Sequence, residues 1–258
     1  MVQNRPRRPE LPIGDTMRDA LAAGLQSARD LGTATTLAFL VVLAKEAAHT
    51  VLVDPTQPVR FQPDVFLVDL AATILLAPYW MAMFRRILGA GGSLSEIVAG
   101  RAGPFQTFLA LELFWLLVGS ALGRALSADG AGQASTIVTA AGFLAWIGVL
   151  TLQIWTGLLA PALAVDAPDA TLRGVFAMTR GSAARLGLIL VSAILPLGLL
   201  DRMLSAPERA GVGVPPLVVA FRIVASSLIE MAMLALVTAL LAEGYRRLRP
   251  ADSLIPRP

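Results

Sequence analysis

The stretch Gly130-AGQASTIVTAAGFLAWIGVLTLQIWTGLLAPALA-Val165 runs for 36 residues without a single charge. A straight helix of that length would measure about 54 Å, while one crossing of a bilayer core needs about 20 residues. The segment is therefore either one span with a loop and a bent end, or two spans. Gly130 and Gly132 suit an outer loop. Gly157 and Pro161 suit a bend or an end, because glycine loosens a helix and proline removes a ladder hydrogen bond. One span is the reading that agrees with the rest of the chain.

Five further apolar stretches accompany it: Leu31–Leu52, Val65–Phe84, Phe105–Leu122, Leu186–Leu200 and Val214–Leu241, with the fourth placed at Ala134–Val165. The chain is 56% hydrophobic and 15% charged, against about 25% charged in soluble domains. The deficit is spread over all six stretches. The sequence thus predicts one all-α transmembrane domain over residues 1–258, a polytopic bundle of six spans. Residues 1–30 form a tail and an amphipathic helix, 31–247 the six spans, and 248–258 a second tail. Lys45, Glu46 and His49 interrupt the first stretch, so it reads as a retained helix rather than a cleaved leader.

Six spans sort the basic residues unevenly. Fifteen arginines fall on the side of the two termini, and four (Arg60, Arg124, Arg202 and Arg209) on the other; Lys45 and Arg222 lie within spans. The positive-inside rule then predicts that both termini are cytoplasmic. Two spans within the fourth stretch would invert everything after it and destroy that division. The net charge of +3 belongs to this orientation signal rather than to nucleic-acid binding.

The chain repeats itself. Thr73-Ile-Leu-Leu-Ala77, Thr156-Gly-Leu-Leu-Ala160 and Thr238-Ala-Leu-Leu-Ala242 share the pattern Thr-x-Leu-Leu-Ala at spacings of 83 and 82 residues. Thr16, Arg18, Ala22, Ser27, Ala28, Leu31 and Gly32 recur at a constant offset of 155, as Thr171, Arg173, Ala177, Ser182, Ala183, Leu186 and Gly187. Ser93–Arg101 is the diverged middle counterpart. The unit is a short helix followed by two spans, present three times and running parallel. In the first short helix Met17, Leu21, Gly24, Leu25 and Ala28 oppose Arg18, Asp19, Gln26 and Arg29. In the third, Leu172, Val175 and Phe176 oppose Arg173 and Arg180. Such helices either lie in the headgroup layer or pack under the bundle. Arg18, Arg29, Arg173, Arg180, Arg246 and Arg247 are the candidates for contact with anionic lipid headgroups. Asp15 and Asp169 suit N-caps, and Ser93-Leu-Ser-Glu96 fits a capping box.

Charges inside a bilayer cost about 2.5–3.5 kcal/mol each on insertion scales, so each needs a partner or a purpose. Lys45 and Asp69 sit in the outer parts of the first hairpin and are expected to pair. Glu112 and Glu230 lie deeper, with Arg222 and Gln153 as polar neighbours. They read either as one buried network or as a proton or substrate relay. Gly119-Ser-Ala-Leu-Gly123 permits close helix approach.

The chain has no cysteine, one histidine and one lysine. These counts leave no thiolate chemistry, no histidine-rich metal site and no phosphate loop carrying its lysine beside a glycine run. No cofactor is indicated, and nothing points to an enzyme.

Leu240-Leu-Ala-Glu-Gly-Tyr245-Arg-Arg-Leu-Arg249 resembles the closing motif of a bacterial six-helix inner-membrane family. Pro168-Asp-Ala-Thr-Leu-Arg-Gly-Val-Phe-Ala-Met-Thr-Arg-Gly181, leading into the fifth span, is similar to that family as well. The family is the type found as the membrane domain of glycerophosphodiester phosphodiesterases. The resemblance covers mainly the last third of the chain. It implies a fold and a location in the bacterial inner membrane, and no reaction, because the catalytic domain has no counterpart here. The first functional expectation is a non-enzymatic, lipid-contacting scaffold or membrane-complex component, with a membrane protein or a second copy as partner. The alternatives are a small transporter or channel using Glu112 and Glu230, and a lipid-modifying enzyme.

Overall fold

The computed structural model describes residues 11–53, 62–91, 94–99, 104–127, 136–205 and 214–249, without the side chains between 123 and 142. Gly130, Gly132, Ser93, Arg60, Arg101, Arg209 and the side chain of Arg124, all used above, lie outside that description. Every regular element within it is a helix. They are α1 (Ile13–Asp30), α2 (Gly32–Leu52), α3 (Pro63–Ile87), α4 (Leu94–Val98), α5 (Phe105–Ser127), α6 (Thr136–Thr156), α7 (Leu159–Ala164), α8 (Leu172–Thr179), α9 (Ala183–Leu204) and α10 (Pro216–Leu248). Six helical segments are long and apolar enough to cross a membrane: Gly32–Leu52, Pro63–Ile87, Phe105–Leu122, Phe143–Ala164, Ala183–Leu204 and Pro216–Leu248. The chain is an integral membrane protein of all-α class. Leucines such as Leu37, Leu67, Leu117, Leu188 and Leu199 point outward, more than half exposed, as suits helices whose outer faces meet hydrocarbon.

The fourth span is one bent helix. α6 ends at Thr156, Gly157 and Leu158 form a turn, and α7 resumes at Leu159. Pro161 has no N–H to offer the preceding turn, and Gly157 sits so near its neighbours that a Cβ would lie 3.0 Å from Leu241 Cδ2. The bend thus presses the α6–α7 junction against α10.

The order of short helix, span, span occurs three times, as α1–α2–α3, α4–α5–α6/α7 and α8–α9–α10. The copies differ in a physical detail. α1 runs unbroken to Asp30, whereas α8 stops at Thr179 and Gly181 takes a left-handed φ of 93°. Gln26 holds the corresponding place in α1 and stays helical. The N-caps also differ from expectation. Thr171 caps α8 by accepting from Gly174 N at 3.1 Å, which frees Asp169 for Tyr245. α1 has no side-chain cap; Asp15 sits in its first turn.

The buried core lies at one end, the end where α1, α4, α7 and α8 gather with most of the described arginines. Met81, Phe84, Ile97 and Phe108 join Leu158–Ala164 and Ala239–Leu248 there. α1 packs along α10 through small residues, Thr16, Ala20, Gly24 and Ser27, leaving Leu21 and Leu25 exposed. One face of this helix packs on the bundle, as one of the two readings expected, and the leucines face outward. Gly119 has open space around it and mediates no close helix approach among the described residues.

Gly24 is the tightest point of the α1–α10 crossing, with Ala239 Cβ 3.2 Å and Ala235 O 3.3 Å from the place of a Cβ. A backbone carbonyl cannot swing aside. Gly24→Val is expected to cost about 1–3 kcal/mol through overpacking. It should lower the thermal midpoint of the detergent-solubilised protein, whereas Gly14→Ala, with nothing within 4 Å, should not. Equal midpoints for the two variants would contradict this crossing.

Candidate functional site

Between α3, α5, α6, α9 and α10 lies a cavity of about 630 Å³. The buried contacts concentrate at the arginine-rich end, and the cavity lies beyond them. Phe84, Thr156, Ala160 and Thr238, all buried, close it at the arginine-rich end. Trp146, Val191 and Leu195 belong to its wall and are 42–55% exposed, so it opens sideways between α6 and α9. The wall is mostly apolar. Its polar members are two carboxylates, Glu112 of α5 and Glu230 of α10, the amide of Gln153 on α6, and the hydroxyls of Thr156 and Thr238. Both hydroxyls are already used: each donates to the carbonyl four residues back, Thr156 to Leu152 at 2.8 Å and Thr238 to Leu234 at 2.7 Å. The repeat pattern therefore places two of its three threonines on this wall. Thr73 is not on it.

The two carboxylates differ. Glu230 receives the Lys45 ammonium in a short ion pair, with side chains 27% and 15% exposed. Lys45 also lies 3.7 Å from Glu46. Lys45 thus turns across to α10, and the expected pairing with Asp69 does not form; Asp69 instead stands 3.0 Å from His49 Nε2, at an angle that makes no hydrogen bond. Arg222 donates to Thr50 Oγ1 at 2.5 Å. A polar seam therefore joins α2, α3 and α10 in the half away from the arginine-rich end. Glu112 is outside that seam. It makes no hydrogen bond or ion pair among the described residues. Gln153 lines the same cavity and likewise makes no bond among them. Trp80, also on the wall, keeps a buried indole N–H without a partner.

A second polar cluster knits the arginine-rich end. Glu243 is 2% exposed and binds Arg246 at 2.7 Å and Arg247 at 2.5 Å. Arg247 reaches on to Asp19 of α1 at 2.7 Å. Tyr245 donates to Asp169 at 3.0 Å, and Arg249 stacks over the Tyr245 ring. Arg86 grips Asp30 through two nitrogens at 2.9 and 2.6 Å. Arg85 donates to the carbonyls of Gly91, Ala164 and Ala90. Of the six arginines expected at headgroups, Arg18, Arg29, Arg173 and Arg180 are exposed. Arg246 is exposed but bound to Glu243, and Arg247 is committed to holding α1.

Glu243 was not among the expected site residues. Its signal was present: an acid three and four residues before Arg246 and Arg247 lies on their helix face. The Lys45–Glu230 pair had no local signal, since 185 residues separate its members.

No family model, curated protein or solved structure matches the chain.

The Lys45–Glu230 pair holds α2 against α10. Lys45→Met should leave the Glu230 carboxylate without its partner and cost about 1.5–3 kcal/mol, the range for hydrogen bonds to charged groups. Lys45→Met with Glu230→Gln should recover most of that loss, because the desolvated charge goes with its partner. Thermal midpoints of the two variants in detergent measure this. A double variant as unstable as the single one would show that the pair is not what joins these helices.

Proposed function

We propose that this chain is a small membrane carrier, and that the cavity reached by Glu112, Gln153 and Glu230 is its binding site. One observation supports this reading above all: two intramembrane carboxylates, from helices distant in sequence, meet one cavity, and one of them has no partner among the described residues. An unpartnered carboxylate at that depth is expensive to keep, and a proton or a cation from outside the chain would satisfy it. A scaffold requires complementary outer faces and gains nothing from such a group inside. A lipid-modifying enzyme requires a nucleophile or a general base convergent with a polar site. The wall offers two threonine hydroxyls, both bonded to carbonyls, and no serine, histidine or lysine among the described residues.

The arginine-rich end faces the cytoplasm of a bacterial inner membrane in this reading, by the positive-inside rule. Arg18, Arg29, Arg173 and Arg180 then lie beside anionic headgroups. The cavity is closed at that end, so the carrier reading needs water to reach it from the far face. Parallel repeats, related by an axis along the membrane normal, can rock against one another, which would expose the same wall residues to each face in turn.

The chain has no cysteine, so an introduced one is unique. Met233→Cys lies on the cavity wall, and Leu199→Cys faces outward at 54% exposure. In vesicles of known orientation, a membrane-impermeant thiol reagent should modify Met233→Cys rapidly from the far face and more slowly from the arginine-rich face. It should leave Leu199→Cys unmodified from both. Modification of Met233→Cys from one face only, or from neither, would remove the carrier reading.

A further inference from the structure

We infer that the cavity binds a lipophilic monocation, a molecule with a bulky apolar body and one positive charge. This rests on the carrier reading and names its substrate class. The first argument is charge. Two carboxylates reach the wall, and Lys45 satisfies Glu230. Glu112 is left as the single carboxylate without a counter-charge, and no lysine or arginine is on the wall among the described residues. One positive charge completes the site, whereas an anion meets Glu112 directly and a neutral lipid leaves it unpaired.

The second argument is the wall. Three of the chain's four tryptophans, Trp80, Trp115 and Trp146, line the cavity together with Phe84. Aromatic faces attract cations through their quadrupole as well as burying apolar surface. Gln153 adds an uncommitted amide beside them. The third argument is access and size. The opening between α6 and α9 is bordered by exposed Trp146, Val191 and Leu195, an apolar passage that suits a bulky apolar body and not a hydrophilic cation. A volume of about 630 Å³ lies within the range of about 300–1,000 Å³ usual for small-molecule sites, too small for a two-chain lipid to enter whole.

Tetraphenylphosphonium and tetraphenylborate carry the same four phenyl groups with opposite charge, and so isolate the sign. Saturable quenching of tryptophan fluorescence in the purified full chain is the readout. Tetraphenylphosphonium should quench saturably, and tetraphenylborate should not. Glu112→Gln, which keeps the shape and removes the charge, should weaken tetraphenylphosphonium binding roughly tenfold or more without lowering the thermal midpoint. Glu112→Asp should retain the preference for the cation. Equal binding of the two ions would overturn the inference, as would unchanged cation affinity in Glu112→Gln, which would mean that the carboxylate holds only a proton. Absence of saturable binding by either ion would overturn it too. If Met233→Cys is nevertheless modified from both faces, the carrier stands and this substrate class alone fails. If modification fails as well, both fall together.

Discussion

One buried carboxylate fixes the end of the molecule on which everything else hangs. Glu243 sits in the last turns of α10 with 2% of its side chain exposed, where an unpaired charge would be costly. Two arginines on the same face meet it, and Arg247 extends the contact to Asp19. The first and last helices are tied together by that chain of charges. Around it, Tyr245 secures the loop before α8, Arg85 secures the turn after α3 and reaches Ala164, and Arg86 ties the end of α3 to Asp30. That turn closes with Gly89 at a φ of 72° and a bond from Ala90 N to Arg85 O of 2.8 Å, the left-handed ending that glycine permits.

Helices held at one end and not at the other must diverge. The close contacts that draw them together, at Gly24, at Gly157 and at Gly244 against Leu186, belong to the clasped half. Beyond it, the space between α5, α6, α9 and α10 stays open as the cavity. The Lys45–Glu230 pair and the bond from Arg222 to Thr50 hold α2 against α10 across that half. The second hairpin has no such tie among the described residues. The cavity is thus a consequence of where the polar ties are placed, and Glu112 projects into it because α5 belongs to the untied hairpin.

Much of this was legible in the chain itself. Length and hydropathy gave six spans, and the uncharged fourth stretch resolved into one bent helix at Gly157 and Pro161, the residues whose chemistry suggested it. The order of short helix and two spans followed from Thr-x-Leu-Leu-Ala and the 155-residue offset. The pairing of charges was less legible. Lys45 and Asp69 lie on adjacent helices, and nothing local said that Lys45 would cross to α10 and leave Asp69 to His49. Glu112, Gln153 and Glu230 were grouped by the cost of burying them, as one network or one relay, but that they line a cavity without bonding one another depends on helix placement, which hydropathy does not encode. Asp169 looked like a cap because it precedes α8; Thr171, two residues nearer, took that role and left Asp169 to Tyr245.

The claim on which the account turns is that the Glu243 cluster holds α1 on α10. Hydrogen exchange of the full chain, comparing wild type with Glu243→Gln, tests it directly. Weakening the grip on Arg247 should loosen α1 and nothing remote. Amides of residues 16–27 should lose protection in the variant, while those of 108–120, at the cavity wall, should keep theirs. Unchanged protection throughout α1 would mean that small-residue packing alone seats it, and would contradict the central place given to this carboxylate.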